Sequence, residues 1–220
     1  DITLYASYEP IAVSYHVEHY TETLSGDYEL ETTTIGSALS DSTVVVSPRD
    51  MTGFEYNPDY TLDESTITVN PDESSVAKLY YHRLSYTIEF ESNASFSIES
   101  MTVKYEDTIN EPSNPIREYY TFSGWYTDST FLAPFNFDDP MPGYSFILYA
   151  KWVGQSMTLT FSSMGGTAVS PLTAPLGSPI SQPIPPTRDG YLFDGWYLDS
   201  LYNEAFTDWV MPLGNITIYA

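Results

Sequence analysis

The chain has no cysteine in its 220 residues. That excludes disulfides, thiolate metal sites and a cysteine nucleophile together, so stability must come from packing and strand pairing. Basic residues are scarce: 7 Lys plus Arg stand against 30 Asp plus Glu, for a formal net charge of -23. A field of that sign repels phosphate backbones and anionic lipid, which excludes nucleic acid as a partner. His16, His19 and His82 are the only histidines, so composition rules out a Ser-His-Asp triad serving the later parts of the chain, and no serine sits in a G-x-S-x-G elbow. Long apolar runs are missing as well. Val44-Val45-Val46 and Ile147-Leu148-Tyr149-Ala150 fall far short of a bilayer span, so no direct membrane insertion by this segment is expected. No signal peptide or anchor is recognisable. The chain opens directly on a strand-like DITLYA, which reads as part of something longer.

What is present is repetition. DITLYA at 1–6 matches NITIYA at 215–220, and the same phase recurs in FILYAKW at 146–152 and, more loosely, in AKLYYHR at 77–83. Aligning Tyr5, Tyr80, Tyr149 and Tyr219 gives a period of about 70 residues, the size of one small domain. The expected division is a terminal strand of a preceding repeat at 1–6, a first unit at 7–83, and two closely similar units at 84–153 and 154–220. Each similar unit runs from an alternating strand (YTIEF, MTLTF) through a proline-rich segment with a lone arginine to a GWY strand, an acidic aromatic loop, a Met-Pro pair and a closing strand. The first unit is of another kind. VSYHVEHY, TTTIG, TGFEYNP and STITVN are β-branched and aromatic, with bends at Gly, Asp, Asn and Pro. No apolar pattern at helical spacing exceeds about two turns. A mainly β reading follows, with a short helix between the second and third strands of a unit left open.

GWY invites a reading as chemistry, but geometry gives a structural one. In YTFSGWY, strict alternation cannot turn both Phe122 and Trp125 inward, so a bulge or turn is expected at Gly124 and again at Gly195. Trp125 and Trp196, with Phe122 and Phe193, are then core anchors of domains too small to spare a large aromatic. The competing reading is an exposed platform that stacks on a sugar or peptide. Tyr126 and Tyr197 are the candidates for ligand contact, since phenols sit comfortably at a surface. The chain carries 20 tyrosines, enough for either a stiff sheet face or an adhesive surface.

The remaining candidates are weaker. His16 and His19 point to opposite faces of a strand and, with Glu18, make a poor zinc site. The carboxylate pairs Asp63-Glu64, Asp72-Glu73, Glu106-Asp107 and Asp138-Asp139 are adjacent on turns, whereas a general acid and base must face each other across a cleft. None has the register of a calcium loop; calcium at an inter-domain junction stays open, and no other cofactor is expected. Lys78, Lys104 and Lys151 could enter a lysine amide cross-link, though ordinary surface lysines fit the spacing better. Asn93-Ala94-Ser95 and Asn215-Ile216-Thr217 match the glycosylation acceptor pattern.

The succession MTVKY, proline-rich bend, YYTFSGWYTD, MPG and FILYAKW closely resembles the Listeria-Bacteroides repeat, or internalin B-repeat, family. The last unit matches through GYLFDGWYLD and MPLGNITIYA, with TAVSPLTAPLG where a TVKYG-like strand is usual. Residues 13–83 look like the mucin-binding-protein type of repeat through SYHVEHY, TGFEYN and VAKLYY. The resemblances imply tandem β-grasp-like (ubiquitin-like) domains, mainly β or α+β, in an extended array on the bacterial cell surface or cell wall. They imply no catalytic residues. The expected function is a semi-rigid stalk or spacer that presents a distal adhesive domain, with neighbouring repeats of the same chain as its contacts. The alternative is an adhesin module that binds a glycan, mucin or host surface protein through exposed aromatics.

Overall fold

The computed structural model describes residues 2–220; Asp1, the first residue of the expected 1–6 strand, lies outside them. Residues 2–11 form no strand, and Ile2, Leu4, Tyr5 and Tyr8 are each 90% exposed.

The first region contains β1 (Ala12–Glu22), β2 (Tyr28–Leu39), β3 (Thr43–Val45), β4 (Phe54–Tyr56), β5 (Thr66–Thr68) and β6 (Val76–Arg83). β1 is a strand because its side chains alternate: Val13, Val17, His19 and Thr21 are buried while His16 faces out. The acidic SGDYE bend returns the chain into β2, with Gly26 at φ +94, a conformation an L side chain rarely adopts. β6 lies parallel on the other flank of β1 and β4 pairs antiparallel with β6, giving the order β2-β1-β6-β4. β3 and β5 form a separate antiparallel pair.

The next region contains β7 (Ser85–Glu91), β8 (Met101–Lys104), β9 (Tyr120–Tyr126) and β10 (Phe146–Gly154), in the order β8-β7-β10-β9. The last contains β11 (Ser156–Ser162), β12 (Leu172–Pro175) and β13 (Ile216–Tyr219), in the order β12-β11-β13, with Tyr197 bridging Tyr219 beyond β13. One layout therefore recurs three times. The opening strand is central, its hairpin partner lies on one side and the closing strand on the other, and a short strand or bridge caps the closing strand.

There is no helix among the described residues, so the expected β-grasp-like, ubiquitin-like α+β fold is corrected to an all-β one. The reason lies where that helix would have to form. The connection from β8 to β9 carries Pro112 and Pro115, and its counterpart after β12 carries Pro179, Pro183, Pro185 and Pro186. Each proline removes a backbone donor and clashes with the preceding turn of a helix, at about 3 kcal/mol apiece in a helix interior.

The chain divides into two compact units: one of the residues up to Glu89 with Ser100–Glu111 and Asn136–Phe146, the other of Phe90–Glu99, Pro112–Phe135 and Ile147–Ala220. The first is centred on Val17, Ala77, Leu79 and Tyr81, with Phe54, Tyr56 and Ile67 against them. The second contains a core of Met157, Leu159, Phe161, Trp196, Met211 and Ile218. Leu159 and Ile218 are fully buried, and each side chain contributes about 1.5–3 kcal/mol by leaving water.

Candidate functional site

The GWY segments sit in the cores. Trp125 is 3% and Trp196 2% exposed. Phe90 and Phe122 meet the Trp125 ring edge-on at 5.0 and 5.4 Å, and Phe161 and Phe193 meet Trp196 at 4.9 and 5.5 Å. Neither indole N–H has a hydrogen-bond partner among the described residues. Gly124 stands at φ +112, where the β9–β10 register skips: Trp125 pairs with Ala150 but Phe122 with Trp152. Two residues of β9 thus face one of β10, a bulge that lets both rings turn inward. Gly195 lies outside the left-handed region and outside any strand.

The acidic turn after GWY is a bracket for its own loop. Asp128 accepts from the Thr130, Leu132 and Ala133 amides and from the Thr130 hydroxyl, and Asp199 accepts from the Leu201, Asn203 and Glu204 amides. The Thr130 hydroxyl and the Ala133 amide hold the Asp128 carboxyl down at about 2. Tyr126 has Lys151 over its ring at 4.9 Å and Phe131 at its edge, while Tyr197 donates to Asp194 at 2.6 Å and meets Tyr202. Both candidate ligand tyrosines are half-buried and have partners within their own repeat.

Two features were not read from the sequence. The first is the construction of the joints between repeats. A single residue outside the strands, Leu84, separates β6 from β7, and a single residue, Gln155, separates β10 from β11. The Leu84 amide donates back to Gly53 at 2.9 Å, and its carbonyl accepts from Tyr105, just past β8, at 2.8 Å. Gln155 repeats the arrangement, donating to Tyr119 and accepting from Leu176, both at 2.8 Å. Close approach enforces glycine at each joint. A Cβ on Gly53 would meet the Tyr105 ring at 2.1 Å, and one on Gly154 would meet the Leu176 carbonyl oxygen at 2.4 Å.

Arg83 locks the first joint. Its side chain is 10% exposed. The guanidinium donates to the carbonyl of Glu22 at 3.0 Å, to that of Tyr105 at 2.7 Å and to the Glu106 carboxylate at 2.9 Å, with the Phe54 ring beneath it at 4.8 Å. Burial works to raise the Glu22 carboxyl, but the Arg83 amide and the Lys104 ammonium outweigh it and hold the group below its ordinary value. The signal was available: Arg83 closes AKLYYHR as Trp152 closes FILYAKW, and it is one of 7 basic residues in an acidic chain.

The second feature is a tyrosine cluster on the face of β1 and β6 opposite the first core. Tyr80 is buried, with Tyr20 stacked on it at 4.8 Å and Tyr60 at 4.6 Å, while Tyr28 lies 4.4 Å from Tyr60. Glu18 rims the cluster together with the Lys78–Glu64 pair at 2.9 Å. The hydrogen bond to Glu18 pushes the Tyr20 phenol up to about 12. His16 is exposed while His19 is buried between the Tyr81 and Thr34 hydroxyls, so the two histidines do not converge. No cluster of three or more potential metal ligands occurs among the described residues.

Three copies of one strand layout, joined through single residues, define a tandem-repeat protein. The family model of the Listeria-Bacteroides repeat domain matches residues 86–151 and 158–220, and the chain belongs to that family. Among its relatives are two proteins of Evansella cellulosilytica named as membrane proteins, one of them Gly-rich. Each is 38% identical over 138 residues, which cover 61% of this chain and 16% or 20% of theirs. Internalin H of Listeria monocytogenes is 34% identical over 194 residues, covering 84% of this chain and 34% of that protein. The chain spans about a third or less of the length of these curated relatives. It is a repetitive, non-catalytic, extracellular module of the bacterial surface.

Proposed function

We propose that this region acts as a semi-rigid spacer, in which the divisions 7–83, 84–153 and 154–220 are successive units that hold an adhesive part of a longer surface protein at a distance. The observation that carries this reading is the joint: Leu84 and Gln155 each commit the backbone donor to one repeat and the acceptor to the next. Such a residue cannot rotate without losing a hydrogen bond on both sides. The test is Gln155→Pro, which deletes the donor to Tyr119. Residual dipolar couplings of the parent should fit one alignment tensor across residues 112–135 and 147–220, which lie in one compact unit, and those of the variant should need two. Two tensors in the parent would overturn the spacer reading.

The tyrosine cluster favours a second reading, in which the first unit binds a glycan or a host surface protein. Tyr20, Tyr28 and Tyr60 form a half-buried aromatic surface with a carboxylate rim, the composition of a contact patch for an amphipathic ligand. Glycan-array binding that disappears in Tyr60→Ala, with the fold retained by circular dichroism, is the expected result of that reading. Binding that survives the substitution removes the cluster from consideration.

A further inference from the structure

An edge strand offers main-chain donors and acceptors to any other strand, and natural sheets blunt such edges with short strands, lysine, proline or bulges. Most edges of this protein are blunted in that way. β4 has three residues, β8 has four and ends on Lys104, and β12 has four and ends on Pro175. β9 is bulged at Gly124. β2 is different. It is the outer strand of the order β2-β1-β6-β4, runs for 12 residues and contains no lysine, arginine or proline. Its register with β1 is unbroken from Thr32 to Leu39, and that stretch, TTTIGSAL, is uncharged in a chain of formal charge -23.

The pairing on the other flank of β1 fixes which groups of β2 are free. The His16 amide donates to the Ser75 carbonyl at 3.0 Å, on the β6 side, so Val13, Tyr15 and Val17 turn their main-chain groups toward β2. The Ser40 amide donates to Ile11 at 2.8 Å in the same phase. Their partners Ala38, Gly36 and Thr34 are thereby occupied. Thr33, Ile35 and Ser37 face outward, and their main-chain groups have no partner among the described residues. The Ile35 side chain stands beside the exposed His16 and is itself 71% exposed. A preceding repeat does not cover an edge in this place: β8 and β12, the equivalents of β2, also lie outermost in their sheets, although each follows a complete repeat.

We propose that β2 pairs antiparallel with β2 of a second copy of this chain, about a two-fold axis at Ile35, so that the two four-stranded sheets become continuous. In that register Ile35 meets its own counterpart, and Thr33 of each copy meets Ser37 of the other. Every outward residue therefore finds an outward residue. Glu31 comes opposite Leu39, and the first like charges to meet, Glu29 and Asp41, lie beyond the uncharged stretch. A second copy fits this edge better than a basic partner segment, which would find no carboxylate on residues 32–39. The overall charge opposes the approach, so the pairing is weak at low ionic strength and strengthens as salt screens it. It joins neighbouring molecules side by side, which goes beyond the spacer reading and stands whether the array spaces or binds.

The test is sedimentation velocity of the 220-residue chain over a range of protein concentrations at low and high salt, with amide exchange as the local readout. The sedimentation coefficient should rise with concentration, and more so in high salt. Exchange at Thr33, Ile35 and Ser37 should slow by about tenfold or more as the dimer forms. Ile35→Lys and Ile35→Glu each change an exposed side chain and should leave circular dichroism unaltered. Either variant alone should sediment as a monomer, because like charges meet at the axis. An equal mixture of the two should associate, because the ammonium of one copy then faces the carboxylate of the other. Sedimentation independent of concentration at both salts overturns the proposal. Association that survives in either variant alone overturns it too, as does a mixture that stays monomeric.

Discussion

At the scale of single residues, Trp125 and Trp196 are large apolar bodies whose polar ends have no hydrogen-bond partner among the described residues. Truncating Trp125 to alanine should cost about 3–5 kcal/mol, as for other large-to-small core changes. Trp125→Phe should cost far less, because no hydrogen bond is lost with the indole N–H; urea unfolding curves of the two variants decide it. His19 behaves differently. Burial, with help from Arg49, lowers its pKa below 6.5. Its depressed folded-state pKa means that the unfolded chain takes up the proton first. Stability is therefore full above 6.5 and falls as the pH drops from there toward the folded-state value. Thermal melts between pH 7 and 5 should show that decline, and His19→Asn should flatten it. Asp128 acts lower still: its bracket is intact above 3.8 and is lost as the pH falls through about 2. Asp128→Asn should therefore raise proteolytic nicking of residues 127–133 at neutral pH and remove this acid-dependent step.

At the scale of elements, the joints set the outcome of substitution. Gly154→Ala places a methyl group against the Leu176 carbonyl, a clash of the kind that costs about 1–3 kcal/mol. The expected readout is faster amide exchange at Leu176, with β1 to β6 unaffected. Arg83→Ala should cost about 1.5–3 kcal/mol in denaturant unfolding, since it leaves the carbonyls of Glu22 and Tyr105 without their charged donor. These elements also show what could be read in the chain beforehand. The repeat phase was legible because a closing strand with a tyrosine at a fixed place leaves a literal string, and the strands were legible because their alternation is local. The missing helix was legible in Pro112, Pro115 and the prolines from 179 to 186, but family resemblance argued against them. Arg83 was marked only by its place at the end of AKLYYHR, because its partners Glu22 and Phe54 lie far away in sequence and carry no motif. The GWY strand of the last repeat was expected, yet residues 192–195 form none, since a strand exists only beside a neighbour.

At the scale of the whole molecule, 30 acidic groups against 7 basic ones dominate long-range behaviour. Repulsion between copies is screened beyond about 8 Å at physiological ionic strength, so it opposes close association more than it sets distant spacing. Of the three lysines singled out earlier, Lys78 pairs with Glu64, Lys104 pairs with Glu22 and Lys151 lies over the Tyr126 ring. The one-residue joint also constrains how such a chain changes over time. Side chains alternate along a strand, so inserting or deleting one residue at position 84 or 155 would turn the inward side chains of the following strand to the outside. Two residues would restore the faces but would displace the backbone pair that each joint shares between its neighbours. A lineage built this way changes length in whole modules, and its lengths come in steps.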